Sequence, residues 1–436
     1  MSLYICSYCD SQYTKWQGQC DECDKWGSIS QQEGNGRVSQ KTVKHSSKPS
    51  IQRIAIKINE INNVLGGGIV PGSFVLLAGD PGIGKSTLVL QIACSIGDAD
   101  SVPAVCPSKA SGLLLYIAGE ESVDQIGMRI NRLNLDSKNL EFLADTSIKN
   151  IIASIKKSKP ALVIVDSIQA ISDEDVEGSA GNINQVRACS SQLLQTAKQE
   201  NTAIITIGHV TKEGYAAGPQ ALAHMVDVVL YLEGDKFHEY RLLRCTKNRF
   251  GATNQVGVFT MSEQGLKEVK NPSELFLRKR QDNSTGSVVS VIMEGSRPFL
   301  IEIQALTNKT PYGYPKRATS GFDLSRLELL LAVLQRRGGL KLDNQDVFLN
   351  IVAGLKTKDP ALDLAACLAI ASSLSNQPMP SLSVAIGEIG LSGEVRPVSH
   401  FEDRAREAER LGFKNLYTPK SIRHISEALG MLGIKK

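Results

Sequence analysis

From Ile54 to about Gly265, short apolar runs alternate with amphipathic ones: SFVLLAGD, STLVLQIACSIG, GLLLYIAG, DQIGMRINRLN, ALVIVDSI, INQVRACSSQLLQTAKQ and TAIITIGHV. Short continuous apolar runs bounded by Gly or Asp read as buried strands, and the longer amphipathic ones as helices. Strand and helix taking turns predicts βαβ units around a parallel sheet. After His224 the runs MVDVVLYLEGD, HEYRLLRCTKNR and QVGVFTMSEQG follow closely, which predicts an antiparallel extension at one sheet edge. Beyond Asn271-Pro272, strand-like GSVVSVIMEG and PFLIEIQAL mix with helix-like LSRLELLLAVLQRR, ALDLAACLAIASSLS and EDRAREAERLG, an α+β pattern.

The first 29 residues are different, being rich in Cys, Trp and Gly, and QQEGNGRVSQKTVKHSSKPS after them offers almost no large apolar side chain. The expected organisation is a small module over 1–29, a flexible linker over 30–53, an α/β domain over 54–270 and an α+β domain over 271–436. Composition adds little: 42% hydrophobic and 22% charged residues suit a folded chain, and a net charge of +4 does not select a polyanionic partner. MSLYICSYCD has neither a basic nor an apolar leader region, and no segment reaches the about 18 apolar residues of a membrane span, so a cytoplasmic protein is expected.

Of nine cysteines, four lie in the first 23 residues, while Cys94, Cys106, Cys189, Cys245 and Cys367 are scattered. This is no disulfide framework. Cys6 and Cys9 form one Cys-x-x-Cys knuckle and Cys20 and Cys23 another, a spacing that lets four thiolates close around Zn²⁺. The alternative is four free surface thiols. With no ligand position left open the ion would be structural, and metal binding would supply folding free energy that so short a module lacks.

Gly79-Asp80-Pro81-Gly82-Ile83-Gly84-Lys85-Ser86-Thr87 fits the phosphate-binding loop, between the apolar run SFVLLA and a helical segment. Its glycines let backbone N–H groups curl around phosphates, Lys85 reaches the β and γ phosphates, and the Ser86 hydroxyl ligates Mg²⁺. The run ALVIV ends in Asp166, a second candidate for the Mg²⁺ shell. GLLLYIAG ends before Glu120 and Glu121; Glu120 is the candidate general base for an attacking water, the alternative being the first charge of the next helix. TAIITIGHV delivers His209 to the same edge as a candidate γ-phosphate sensor, the alternative being a core histidine.

Together with GHVTKEG (208–214), AHMVDVVLYLEGD (223–235) and KNRFG (247–251), these motifs resemble the RecA superfamily and, within it, the bacterial RadA (Sms) family, over nearly the whole chain. The resemblance implies a RecA-like ATPase core with ATP and Mg²⁺. It also implies a homohexameric ring acting on single-stranded and branched DNA, a motor or helicase that extends strand exchange or branch migration. Lys247 and Arg249 would then reach a neighbour's nucleotide and couple it to DNA, rather than being a solvated basic turn. Loops 172–184 and 210–220 would face the channel, with Lys212 as the phosphate contact. Gln220 and Ala223 depart from the family's usual basic and acidic residues. The zinc module would meet a partner such as the RecA recombinase or a replication or repair protein.

DVFLNIVAGLKTKDPALDLAACLAIASS and VAIGEIGLSGEVRPV resemble the proteolytic domain of Lon-type ATP-dependent proteases. Ala361 stands where that family's nucleophilic serine is expected and Glu402 where its lysine is, so a Ser/Lys dyad is absent and an inactive protease fold is expected. Lys316, Arg317, Arg326, Arg336, Arg337 and Lys341 would offer DNA a basic surface, or be ordinary solvated charges. Two other functions compete with the motor: a regulatory ATPase acting on protein partners, and an ATP-dependent protease.

Overall fold

The central strands of the larger sheet form where the sequence runs continuously apolar, and helices cover both of their faces. The computed structural model describes residues 4–9, 11–13, 15–31, 52–96, 112–209, 222–234, 240–277, 284–311 and 313–433. The chain divides into two compact units, 1–50 and 51–436. In the first unit, β1 (Tyr4–Cys6) pairs antiparallel with both β2 (Gln12–Tyr13) and β3 (Ile29–Gln31). Its buried cluster is Cys6, Cys20 and Ile29, too little apolar surface to order the segment by itself.

The second unit opens with α1 (Asn59–Leu65) and β4 (Phe74–Gly79), then α2 (Lys85–Ser95), β5 (Leu114–Ala118), α3 (Val123–Leu133), β6 (Leu140–Leu143) and α4 (Ile148–Ser158). There follow β7 (Leu162–Asp166), α5 (Ile183–Glu200), β8 (Ala203–His209), β9 (Val228–Glu233), β10 (Tyr240–Asn248), β11 (Val256–Ser262) and β12 (Gly265–Glu268). These nine strands make one sheet in the order β12-β11-β10-β9-β4-β8-β7-β5-β6. From β9 to β6 all neighbours are parallel, and β10 to β12 extend the other edge antiparallel. Every residue of β4, β5 and β7 is buried, because α2 and α3 cover one face and α4 and α5 the other.

After α6 (Pro272–Leu277) comes a second sheet: β13 (Ser287–Glu294), β14 (Arg297–Lys309), β15 (Arg317–Ser320), β16 (Gln345–Ile351), β17 (Ser383–Ala385) and β20 (Asn415–Tyr417), in the order β15-β16-β14-β13-β17-β20. A two-stranded ribbon, β18 (Glu388–Ile389) with β19 (Val395–Arg396), stands apart from it. Among the described residues, the helices that accompany this sheet are α7 (Leu324–Arg336), α8 (Asp363–Ser375), α9 (Phe401–Arg410) and α10 (Ile425–Met431). α8 is buried along nearly its whole length, which its run of Leu, Ala, Cys and Ile permits without a polar stripe.

The two sheets are packed through one core. Tyr240, Leu242, Val256 and Val258 from the first join Phe276 and the apolar residues of the second, with Tyr240 and Phe276 edge to face at 5.5 Å. Arg297 at the start of β14 pairs with Glu60 of α1 at 2.5 Å, and the same Glu60 oxygen accepts the Val258 N–H at 2.9 Å. Arg244 bridges Glu233 and Glu294, each at 2.6 Å. A boundary near residue 271 thus separates the strands of two sheets but not two cores.

On the inner side of α9, Arg404 is among the largest fully buried side chains. It meets Asp359 at 2.7 Å and also donates to the Ser399 and Val291 carbonyls. Asp359 further accepts the Met293 N–H at 3.1 Å and the Ala361 N–H at 3.0 Å. Removing one charge of such a pair leaves the other buried without compensation. Asp359→Asn is therefore expected to destabilise the second unit by about 3 kcal/mol, read from urea unfolding, and Arg404→Met added to it to restore part of the loss.

Candidate nucleotide site and metal centre

β4 ends in the middle of the sheet and the chain turns at once into α2, so the phosphate-binding loop lies where parallel strands present their C-terminal ends. Gly79 has φ 152°, and a Cβ there would lie 2.4 Å from the Leu232 carbonyl oxygen; only glycine lets the loop leave the strand this close to β9. Gly84 caps α2 in the left-handed region, directing the first N–H groups of the helix into the loop. Lys85 is 4% exposed, its ammonium donating to the Gly79 carbonyl at 2.8 Å and the Asp80 carbonyl at 3.0 Å. Burial lowers its pKa, against the opposing pull of Asp166, Asp80 and Glu120.

Register brings the other strand ends to the same edge. Ala118 pairs with Asp166 and Gly79 with His209. Asp166 is 7% exposed; burial raises its pKa, while hydrogen bonds from Tyr116 and Ser86 act the other way. Thus Ser86 and Asp166, the two expected Mg²⁺ ligands, touch. Glu120 accepts a hydrogen bond from the Ser167 hydroxyl, whereas Glu121 pairs with Arg129 of α3 at 2.5 Å. Glu120 is thereby the glutamate held beside Asp166, and Glu121 is committed to the helix. The turn that carries them is tight: Gly119 N–H donates to the Asp166 carbonyl at 2.9 Å, and a Cβ at Gly119 would lie 2.8 Å from Cβ of Ala170.

Three residues of this site escape the motif pattern. Tyr116 is fully buried in β5, and its hydroxyl donates to Asp166 Oδ2 at 2.5 Å. Ser167 follows Asp166 and is wholly buried. Arg241 of β10 is 7% exposed and donates to the Ile83 carbonyl of the loop at 3.3 Å. A tyrosine within an apolar strand looks like core, and the partner of a β10 arginine is fixed only once β10 pairs with β9 and β9 with β4.

Lys247 and Arg249 are not brought to this edge within the chain. Asn248 pairs with Val228, which pairs with Val75 near the start of β4, so the KNRFG turn sits at the opposite end of the strands. Lys247 donates to the Ala223 carbonyl at 2.7 Å and the His224 carbonyl at 3.1 Å; Arg249 pairs with buried Asp227 at 3.2 Å. Lys212, Gln220 and the loop 210–220 lie outside the described residues. The loop 172–184 is fastened to its own helix, with Gln185 bonding the Asp173, Val176 and Gly178 carbonyls.

Beside the second sheet, Ala361 in the turn before α8 is wholly buried, and Glu402 of α9 pairs with Lys420 at 2.8 Å. Of the six basic residues there, Arg326 is bound to buried Asp363 and Arg317 to the Leu342 and Gln345 carbonyls, so both serve internal bonds. No helix of the described residues is long and apolar enough to cross a membrane.

In the first unit the Sγ atoms of Cys6, Cys9, Cys20 and Cys23 all lie within 4.8 Å of one another, with Cys6 and Cys23 at 3.7 Å and Cys9 and Cys20 at 3.4 Å. None of the four is in a disulfide. Tetrahedral thiolates about 2.3 Å from Zn²⁺ stand roughly 3.8 Å apart, so the set fits that ion. The Tyr13 hydroxyl, 3.1 Å from the Cys20 sulfur, lowers the pKa of that thiol, which favours the thiolate a metal needs.

A family model described as "AAA domain" matches residues 40–215, and one described as "Subunit ChlI of Mg-chelatase" matches 325–422. Among solved structures, one ATPase domain shares 14% identity with a TM-score of 0.42, over 50% of this chain and 92% of that one. A RadB recombinase shares 21% with a TM-score of 0.38, over 50% and 100%. Curated relatives named "DNA repair protein RadA" are far more similar. The Listeria monocytogenes protein is 43% identical over 96% of this chain and 92% of its own length; those of Bacillus subtilis and Pseudomonas aeruginosa are 44% and 45% identical at the same coverage. With a RecA-like ATPase core, a Lon-like C-terminal fold and a four-cysteine module in one chain, and this identity along nearly its full length, the chain belongs to the RadA family.

Proposed function

We propose that this chain is an ATP-driven DNA motor serving recombination and repair, assembled as a homohexameric ring that promotes branch migration. The observation that carries the reading is the meeting of Lys85, Ser86, Asp166 and Glu120 at one sheet edge, in a chain whose relatives are DNA repair proteins over 96% of its length.

Lys85, now bonded to two loop carbonyls, exchanges them for the β and γ phosphates, and the loop's N–H groups hold the remaining oxygens. Mg²⁺ when bound neutralises charge on those phosphates, and Ser86 and Asp166 would hold it. The Tyr116 hydroxyl, donating to Asp166 Oδ2, opposes the burial that disfavours the charged carboxylate. Glu120, steadied by Ser167, orients the attacking water and accepts its proton. His209, level with Gly79, is the γ-phosphate sensor.

Lys247 and Arg249 lie at the far end of the strands from their own phosphate loop, which supports action on a neighbour's nucleotide or on DNA in a ring. Lys212 is the further DNA contact. The four cysteines hold structural Zn²⁺, and the module they fold meets a repair or recombination protein. The C-terminal sheet acts as a ring platform without proteolysis: buried Ala361 has no hydroxyl and Glu402 no ammonium.

Steady-state ATPase measurements test the motor. Lys85→Ala is expected to abolish turnover, and Glu120→Gln to lower kcat by about 100-fold or more while nucleotide still binds. Single-stranded DNA should stimulate the wild type, fading as salt rises; indifference to DNA would favour a regulatory ATPase acting on proteins. Tyr116→Phe removes a bond that lowers the Asp166 pKa, so the acid limb of the Mg²⁺-dependent rate should move to higher pH and the Mg²⁺ requirement rise several-fold, with the melting temperature little changed. Stripping zinc with a chelator should unfold the first unit, seen by loss of its amide protection, and leave the basal ATPase intact.

A further inference from the structure

The small first unit presents three large aromatic side chains to solvent: Tyr8 at 65%, Trp16 at 63% and Trp26 at 77% exposure. Trp26 bridges to Gln19 across the second cysteine knuckle, where Gly27 N–H donates to the Gly18 carbonyl at 2.8 Å. A Cβ built on Gly18 would lie 3.6 Å from the Trp26 ring and 4.0 Å from the Trp16 ring, so both indoles flank one glycine. The Trp16 ring is also fixed at its edge, because its Nε1–H donates to the Ile29 carbonyl at 3.2 Å. Rings held in place before binding lose little entropy when a partner arrives.

Charge decides what they would receive. Asp21, Glu22 and Asp24 outnumber Lys15 and Lys25 around the second knuckle, and four thiolates on one divalent ion leave the centre anionic. An anionic surface opposes a phosphate backbone, which stacking platforms for nucleic acid draw in with basic side chains. It attracts cations instead, and the unit already holds one in this way, with the Lys25 ammonium 3.3 Å from the centre of the Tyr8 ring.

We propose that Trp16 and Trp26 form a docking face for an arginine-bearing segment of a protein partner, with the guanidinium seated over the indoles. This rests on the zinc reading above, since the metal holds the knuckle that carries both rings. Arginine suits the face better than lysine because its planar cation stacks on an aromatic ring and sheds water more readily. The acidic residues at the rim add attraction at long range.

Trp16 and Trp26 are the chain's two tryptophans, so the tryptophan emission of the full-length protein reports on this face alone. The experiment titrates the full chain with an Arg-Gly repeat peptide, the matching Lys-Gly peptide and an oligo-dT strand, with zinc quantified in the same sample. The arginine peptide should change the emission saturably, the lysine peptide should bind roughly two- to five-fold more weakly, and oligo-dT should leave the emission unchanged. Trp26→Leu and Trp16→Leu, each keeping one reporter, should weaken the arginine peptide by a similar factor. A response to oligo-dT as strong as to the peptide, equal affinity for the two peptides, or no response from a zinc-loaded chain would overturn the face. A chain that binds no zinc would overturn the metal reading beneath it, and the face with it.

Discussion

A cation and an anion are buried together at the end of a parallel sheet, and the layout of the RecA-like core follows from that constraint. Lys85 and Asp166 are each less than a tenth exposed, and burial disfavours the charged form of both. Such groups are tolerated only where the surroundings are polar and rigid, which the loop carbonyls, Ser86 and Tyr116 provide. The fully buried strands hold the backbone still so that these few bonds stay aligned. A ligand with phosphates and a divalent cation satisfies both charges better than the loop carbonyls and hydroxyls do, so the fold's electrostatic imperfection is also its affinity.

The core was legible because its signals are local. Apolar runs of strand length ending in Gly, Glu, Asp or His placed β4, β5, β7 and β8, and register then brought their ends together. What stayed hidden depends on partners distant in sequence. Nothing in GLLLYIAG marks Tyr116 as the partner of Asp166, fifty residues away, and β10 had to be set beside β9 before Arg241 could be seen beneath the phosphate loop. Arg326 illustrates the reverse error: a charge on an amphipathic helix reads as an outward cation, for DNA or for water, yet it is spent on Asp363. The four cysteines needed no such help, because two knuckles at this spacing leave chemistry little choice.

The C-terminal fold closes around Ala361 without leaving it exposed. Ala361 lies in the apolar cluster of Val289, Leu300 and Ala408. The neighbouring polar demand is met internally by Arg404 and Asp359, which tie α9 to β13 and to the turn before α8. These two charges thus act as struts between helix and sheet.

The core shared between the two sheets also bears on how the second unit can move. Glu60, Arg297, Arg244 and Glu294 stitch α1 and β10 to β13 and β14 over an apolar contact that includes Phe276 and Phe299. A joint of that kind has no slack to absorb a displacement. A displacement of β10 is therefore carried into β13 and β14 as a whole, and the two sheets answer a push at either one as a single body.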